Sequence, residues 1–430
     1  MKKILSVLLG LTLVFSLNAC GSDKDEFDNS IKHFESDEGL FNFTVSGQYA
    51  TLASLNLDAN SKYDGEYITQ VSVPSTYTQN SITYDVTTIS TNAFRYRASL
   101  EAIILPDSVT TINTYAFQDC YSLEKIQMPK SLTSIANYAF NACTSLRMMD
   151  LSMNTTSIGQ YAFQNCYSLE DVVLNDGTQT IGQYAFHNCY SLEEINLPKE
   201  LTYINSYTFQ NCTSLEEINI QNKVNTVDTY AFQNCYNLNK VTIGEAVVKL
   251  ENYAFNNCYN LEDVTFNKSL ETIGTHVFAN CRFLSNVKLP STVKSIGSSA
   301  FSGCYSLTEI DLTTAITEVS SSTFAYCYSL KKVTLAEGVT SISSSAFYNC
   351  NSLVEITLPS TLQTIGSSAF EGCNLLTNIH IPLNTVTIGS NAFRYCYILS
   401  ITVAMPESNL SSGWSTTWNP SNCDVTYGVN

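Results

Sequence analysis

One interval governs this chain. Phenylalanine stands at 94, 117, 140, 163, 186, 209, 232, 255, 278, 301, 324, 347, 370 and 393, always 23 residues apart. Thirteen cysteines keep the same step from Cys120 to Cys396, with Arg97 in their column at the first repeat. A leucine follows each of these cysteines by three. A period this short, held without slippage, excludes a set of independent globular domains. Each unit is one supersecondary piece that cannot bury its apolar side alone, so the units must stack into a solenoid.

Residues 192–214, "LEEINLPKELTYINSYTFQNCTS", show the physics of one turn. Ile195 and Leu197 alternate with polar neighbours, which predicts a short strand with one face inward. Pro198 stops it by removing a ladder donor. "LTYI" supplies a second extended piece. Glycine or Asn, Asp and Ser follow that isoleucine in most turns, at Gly159, Gly182 and Gly274 for example. These residue types suit a left-handed corner. The "YAF" stretch is then expected to turn the chain back as a short helical or 3₁₀ turn. Fourteen such turns at about 4.8 Å per layer make a rod or arc roughly 65–70 Å long.

The pattern L-x-x-I-x-L-P-x-x-L-x-x-I-G-x-x-A-F-x-x-C-x-S, covering about 68–403, resembles the BspA-like leucine-rich repeat. The resemblance implies a leucine-rich-repeat solenoid with a parallel β ladder on its concave face, displayed on a bacterial surface. It also implies adhesion to host proteins or other cells.

The remaining sequence is read as export signal, tether and caps. Lys2 and Lys3 precede an apolar run, "ILSVLLGLTLVF", too short to span a bilayer as a mature helix. "LNAC" at 17–20 resembles a bacterial lipobox, which makes Cys20 the lipidated mature N-terminus and the only membrane attachment; an ordinary secretory cleavage is the alternative. The expected organisation is a signal peptide over 1–19 and a flexible tether over 20–39. A β cap with a first atypical repeat covers 40–92, the solenoid 93–403 and a C-terminal cap 404–430. "STYTQNSITYD" at 75–85 breaks the ruler before it resumes. Trp414 and Trp418 are expected to seal the far end.

The cysteines invite four chemistries. A metal needs several ligands around one ion, whereas a column offers one sulfur per layer and the chain has no C-x-x-C. A nucleophile needs an oriented base, and the four histidines, His33, His187, His276 and His380, do not repeat with the column. Disulfides suit an exported chain, and adjacent layers bring Cα atoms within range. Stacked Cβ vectors run parallel, however, where a disulfide needs them to converge. A column of buried reduced thiols, acting as small hydrophobes, is the favoured reading.

Function should lie where the copies differ. The residues two and four after each leucine point outward from the strand. In the middle turns they include Asp171, Glu194, Asn196, Glu217, Asn219, Lys240 and Asp263, a mainly acidic set offered as a partner-binding face. Tyrosines form two further columns, two before the phenylalanine from Tyr115 to Tyr253 and directly after many cysteines. They can be stabilising ladders or grips for protein and sugar rings. The net charge of −17 and the absence of any basic run argue against nucleic acid or anionic lipid as partners. No G-x-S-x-G, H-E-x-x-H or phosphate loop is present, so no enzyme and no cofactor are expected. The expected role is binding or adhesion through an unidentified protein ligand. Capture of a glycan for a nutrient-uptake system is the alternative.

Overall fold

The computed structural model describes residues 39–56, 62–63, 66–312 and 315–429. The signal segment, Cys20 and the tether as far as residue 38 lie outside these described residues.

From Leu100 to Leu376 the strands begin two residues after the leucine of each turn, as the alternation requires. Among them are Asp171–Leu174, Glu194–Ile195, Glu217–Asn219, Lys240–Thr242 and Asp263–Thr265. They pair in parallel with partners 23 residues on, as in Asp171↔Glu194, Glu217↔Lys240 and Lys240↔Asp263. A second parallel ladder runs through the "T-I" positions, as in Ser134↔Ser157, Thr226↔Lys249 and Thr364↔Thr387. The result is a solenoid of about fifteen turns.

The third side differs from expectation. Among the described residues the helical content is one 3₁₀ segment, Glu407–Asn409, and the repeat itself has none. Its amides alternate in direction instead. Phe117 N donates to Ala139 O of the next turn at 2.7 Å, and Gln118 N donates to Tyr115 O of its own turn at 3.2 Å. A helix would close its hydrogen bonds within one layer and leave nothing to stitch layers together. The alternation demands left-handed backbone twice per turn, as at Tyr161 (φ 58°) and Asn165 (φ 62°). Asparagine tolerates that region; tyrosine does so rarely, and its ring must be held by packing.

The corner glycines act otherwise than expected. Gly159 and Gly182 are absent from the left-handed region. They are needed for close approach: a Cβ at Gly159 would stand 2.5 Å from Asn137 N, and one at Gly182 2.5 Å from Gln160 N.

The core is columnar. The phenylalanines are fully buried and stacked nearly parallel, from 4.8 Å between Phe94 and Phe117 to 5.7 Å between Phe301 and Phe324. Burying one such side chain contributes about 1.5–3 kcal/mol. The thirteen column cysteines are free and buried. Each thiol donates to the carbonyl of the phenylalanine one turn back, at 3.1–3.4 Å, as Cys120 does to Phe94 and Cys281 to Phe255. Every described thiol of the column is therefore committed to a carbonyl.

Both ends cover the column with extended structure. Phe41–Ser46 and Tyr49–Leu55 form an antiparallel hairpin, and the second strand joins the second ladder through Ile82–Ile89. The 75–85 insertion is another hairpin, turned by left-handed Asn80 and Ser81. At the far end, Asn378↔Ser400 shows the one-residue shortening of the last turn. Trp414 extends the second ladder opposite Ile388, and Trp418 sets its ring edge against Phe393, the last of its column, at 5.9 Å and 83°.

Candidate binding surface

Strand alternation sends Ile195, Ile218 and Val241 into the core and their neighbours outward. Glu194, Asn196, Glu217, Asn219, Lys240 and Asp263 are exposed on this face, and Asp171 is half-buried. The ladder brings Asp171 beside Glu194, Glu217 beside Lys240, and Lys240 beside Asp263. Five of the seven line one shallow depression of about 520 Å³, together with Glu193, Glu216 and Thr242. Asp171 and Asp263 stand in register at its two ends.

Its electrostatics are one-sided. Glu193, Glu194, Glu216 and Glu217 supply four carboxylates around the single Lys240, whose Nζ lies 3.8 Å from Glu217 Oε2. Both side chains of that pair are about half exposed or more, so it is screened and weakly stabilising. Asn196 Nδ2 donates to Glu194 Oε1 at 3.3 Å. Burial, and then the Glu194 carboxylate across the ladder, push the Asp171 carboxyl above its ordinary value. The face thus holds carboxylates that repel one another, and a cation between them would relieve that repulsion. A second depression of about 420 Å³ on the same ladder, between Asn286 and Lys332, is of mixed charge.

Two other arrays stand out, the first with no counterpart in the expectations above and the second built on the tyrosines that follow the cysteines. The asparagine before each cysteine forms an amide ladder from Asn165 to Asn280, each Nδ2 donating to the previous Oδ1 at 2.7–2.8 Å. Its signal was the return of asparagine at that column. A third concavity lies beside Tyr328 and Tyr397, marked in sequence by "YCY" at 326–328 and 395–397.

The sequence pattern of the BspA type leucine rich repeat region matches this chain over residues 74–192, 179–308 and 294–412. The chain belongs to the BspA-type leucine-rich-repeat family. BspA-type proteins are typically surface proteins, and their solenoid is typically a binding scaffold rather than a catalyst. Among the described residues, no helix is long and apolar enough to cross a membrane. A leucine-rich repeat protein from Bacteroides ovatus is similar, with 27% identity, 90% of this chain and 97% of that chain covered, and a TM-score of 0.76. The pneumococcal vaccine antigen PcpA shares the fold at 21% identity, with 91% and 97% covered and a TM-score of 0.53. No curated protein matches the chain.

Proposed function

We propose that this BspA-type protein is a non-enzymatic binding or adhesion protein of the bacterial surface, lipid-anchored through Cys20. Its strand face between Asp171 and Asp263 receives a basic patch of a host matrix protein or of another cell. The observation that carries this reading is the depression of about 520 Å³, where four glutamates surround one lysine. Opposite charge across such a face speeds encounter and fixes register more than it adds affinity. The partner is therefore expected to bind with a marked salt dependence. The test is a panel of immobilised matrix proteins and of surface-protein extracts from host and bacterial cells, probed with the chain from residue 21 at low and physiological salt. Binding that is saturable and weakens several-fold with salt supports the reading; a chain that binds no protein in the panel at either salt refutes it.

A second reading, capture of a glycan for nutrient uptake, is favoured by one observation. Tyrosines after the cysteine stack in pairs, the exposed Tyr167 on Tyr190 at 5.1 Å, and the exposed Tyr236 on the half-buried Tyr259 at 4.9 Å. Such ring faces suit the apolar faces of sugars.

A further inference from the structure

Most turns carry tyrosine directly after the column cysteine, but two adjacent turns carry Asn351 and Asn374 there. They are bracketed by the two turns with tyrosine on both sides of the cysteine, 326–328 and 395–397. Losing two rings from the row leaves a broad, solvent-open cleft of about 530 Å³, lined by Tyr328, Asn349, Asn351, Gly372, Asn374, Tyr395 and Tyr397. From Tyr328 to Tyr397 is three turns, roughly 14 Å at the ladder spacing.

Each end of the cleft is aromatic. Tyr326 and Tyr328 meet at 6.2 Å and 77°, and Tyr395 and Tyr397 at 6.1 Å and 50°. All four rings are substantially exposed, Tyr397 most, at 71%. The floor between them is amide. With its amide turned to satisfy both ends, Asn351 donates to Asn349 O at 3.1 Å and Gly372 O at 3.0 Å. Asn374 likewise donates to Gly372 O at 3.3 Å and Tyr395 O at 2.9 Å. These bonds hold both amides in place. Gly372 is left-handed (φ 79°), and a Cβ there would overlap Asn349 Oδ1, so glycine keeps the recess open.

Among the described residues, no charged side chain lines this cleft. Arg394, stacked over Tyr395 at 4.4 Å, is paired with Glu371 at 3.6 Å. A basic peptide would want a carboxylate here, and an anionic sugar a free cation; the lining offers neither. Flat rings at both ends with fixed amides between them match the C–H faces and hydroxyls of uncharged sugar rings. We infer that the cleft between Tyr328 and Tyr397 binds a short neutral oligosaccharide, an inference that rests on the glycan-capture reading and gives it a site.

The test is calorimetric titration of the whole chain with maltotriose, cellotriose, mannotriose and xylotriose, with trigalacturonate as the charged control. The variants are Tyr397→Ala and Asn374→Tyr. The second fills the recess yet only recreates the Gly-Cys-Tyr run at 303–305, so the fold accommodates it. At least one neutral trisaccharide is expected to bind saturably, and each variant to weaken it about tenfold or more. The unfolding midpoint of Asn374→Tyr should equal that of the parent. Saturable binding that both variants leave unchanged overturns this site while keeping glycan capture, at tyrosines such as Tyr167 and Tyr190. Preference for trigalacturonate overturns the neutral assignment. Absence of binding across the neutral set overturns both the site and the reading beneath it.

Discussion

The thiol of Cys212 donates to the carbonyl of Phe186, one turn back, at 3.3 Å. The same carbonyl accepts the Cys189 amide at 3.2 Å, so both of its lone pairs are used in a dry core. Cysteine fits because it combines the volume of a small hydrophobe with one weak donor. Replacing Cys212 by Ala should cost about 1–2 kcal/mol, from one lost bond and a small void. Cys212→Ser, which keeps a donor, should cost less. Urea midpoints read the difference. An alanine variant as stable as the parent would remove the thiol–carbonyl bond from the list of stabilising contacts.

Burial pushes the Cys120 and Cys327 thiols up to about 12 from an ordinary value of 9.0. Tyr184 is likewise raised to about 12, by burial first and then by its neighbour Tyr207. For these acids the folded value lies above the unfolded one. Their contribution to stability is complete below pH 9 for the thiols and below pH 10 for Tyr184, and is lost as pH rises from there towards 12. Each thiol that ionises only on unfolding adds a slope of about 1.4 kcal/mol per pH unit. Urea midpoints should therefore fall steeply above pH 9, and less steeply when Cys120 and Cys327 are both alanine. A midpoint that stays flat between pH 8 and 10.5 is incompatible with the buried column.

Much of this was legible beforehand, because core positions repeat and repetition is visible. The phenylalanine and cysteine columns, the strand two residues after Leu192, and the outward side chains of Glu194 and Glu217 follow from spacing and alternation. The backbone of the "YAF" side did not follow. Local propensity favoured a helical turn there, but the amides of Phe117 and Asp119 pair with the next layer. That long-range pairing selects left-handed tyrosine against its intrinsic preference. Gly159 was misread for a related reason, since its role is set by the neighbouring layer rather than by its own dihedral angles. The acidic face was readable as a set of exposed residues; that five of them share one depression needed the ladder's register.

The asparagine ladder gives a prediction of ordering. Asn211 donates to Asn188 at 2.7 Å, accepts from Asn234 at 2.8 Å, and is left-handed at φ 64°. Asn211→Ala loses both bonds and keeps the backbone strain, costing about 2 kcal/mol. Asn211→Gly loses the bonds but relaxes the strain and should be the milder change. Asn211→Asp can still accept from Asn234 but cannot donate to Asn188, and sets an acceptor against an acceptor. Chemical denaturation of the three variants ranks them, and equal stability for Ala and parent would show the ladder to be decorative.

The central claim is that the protein partner is read by the variable strand face and not by net charge. The most direct measurement compares two double charge reversals on the partner selected from the panel. Glu194→Lys with Glu217→Lys alters the depression; Glu245→Lys with Glu271→Lys makes the same change in net charge at exposed positions off that face. At physiological salt, where charges beyond about 8 Å are largely screened, the first pair should weaken binding at least about tenfold and the second by no more than about twofold. Equal losses from both pairs, or no loss from the first, would contradict the account.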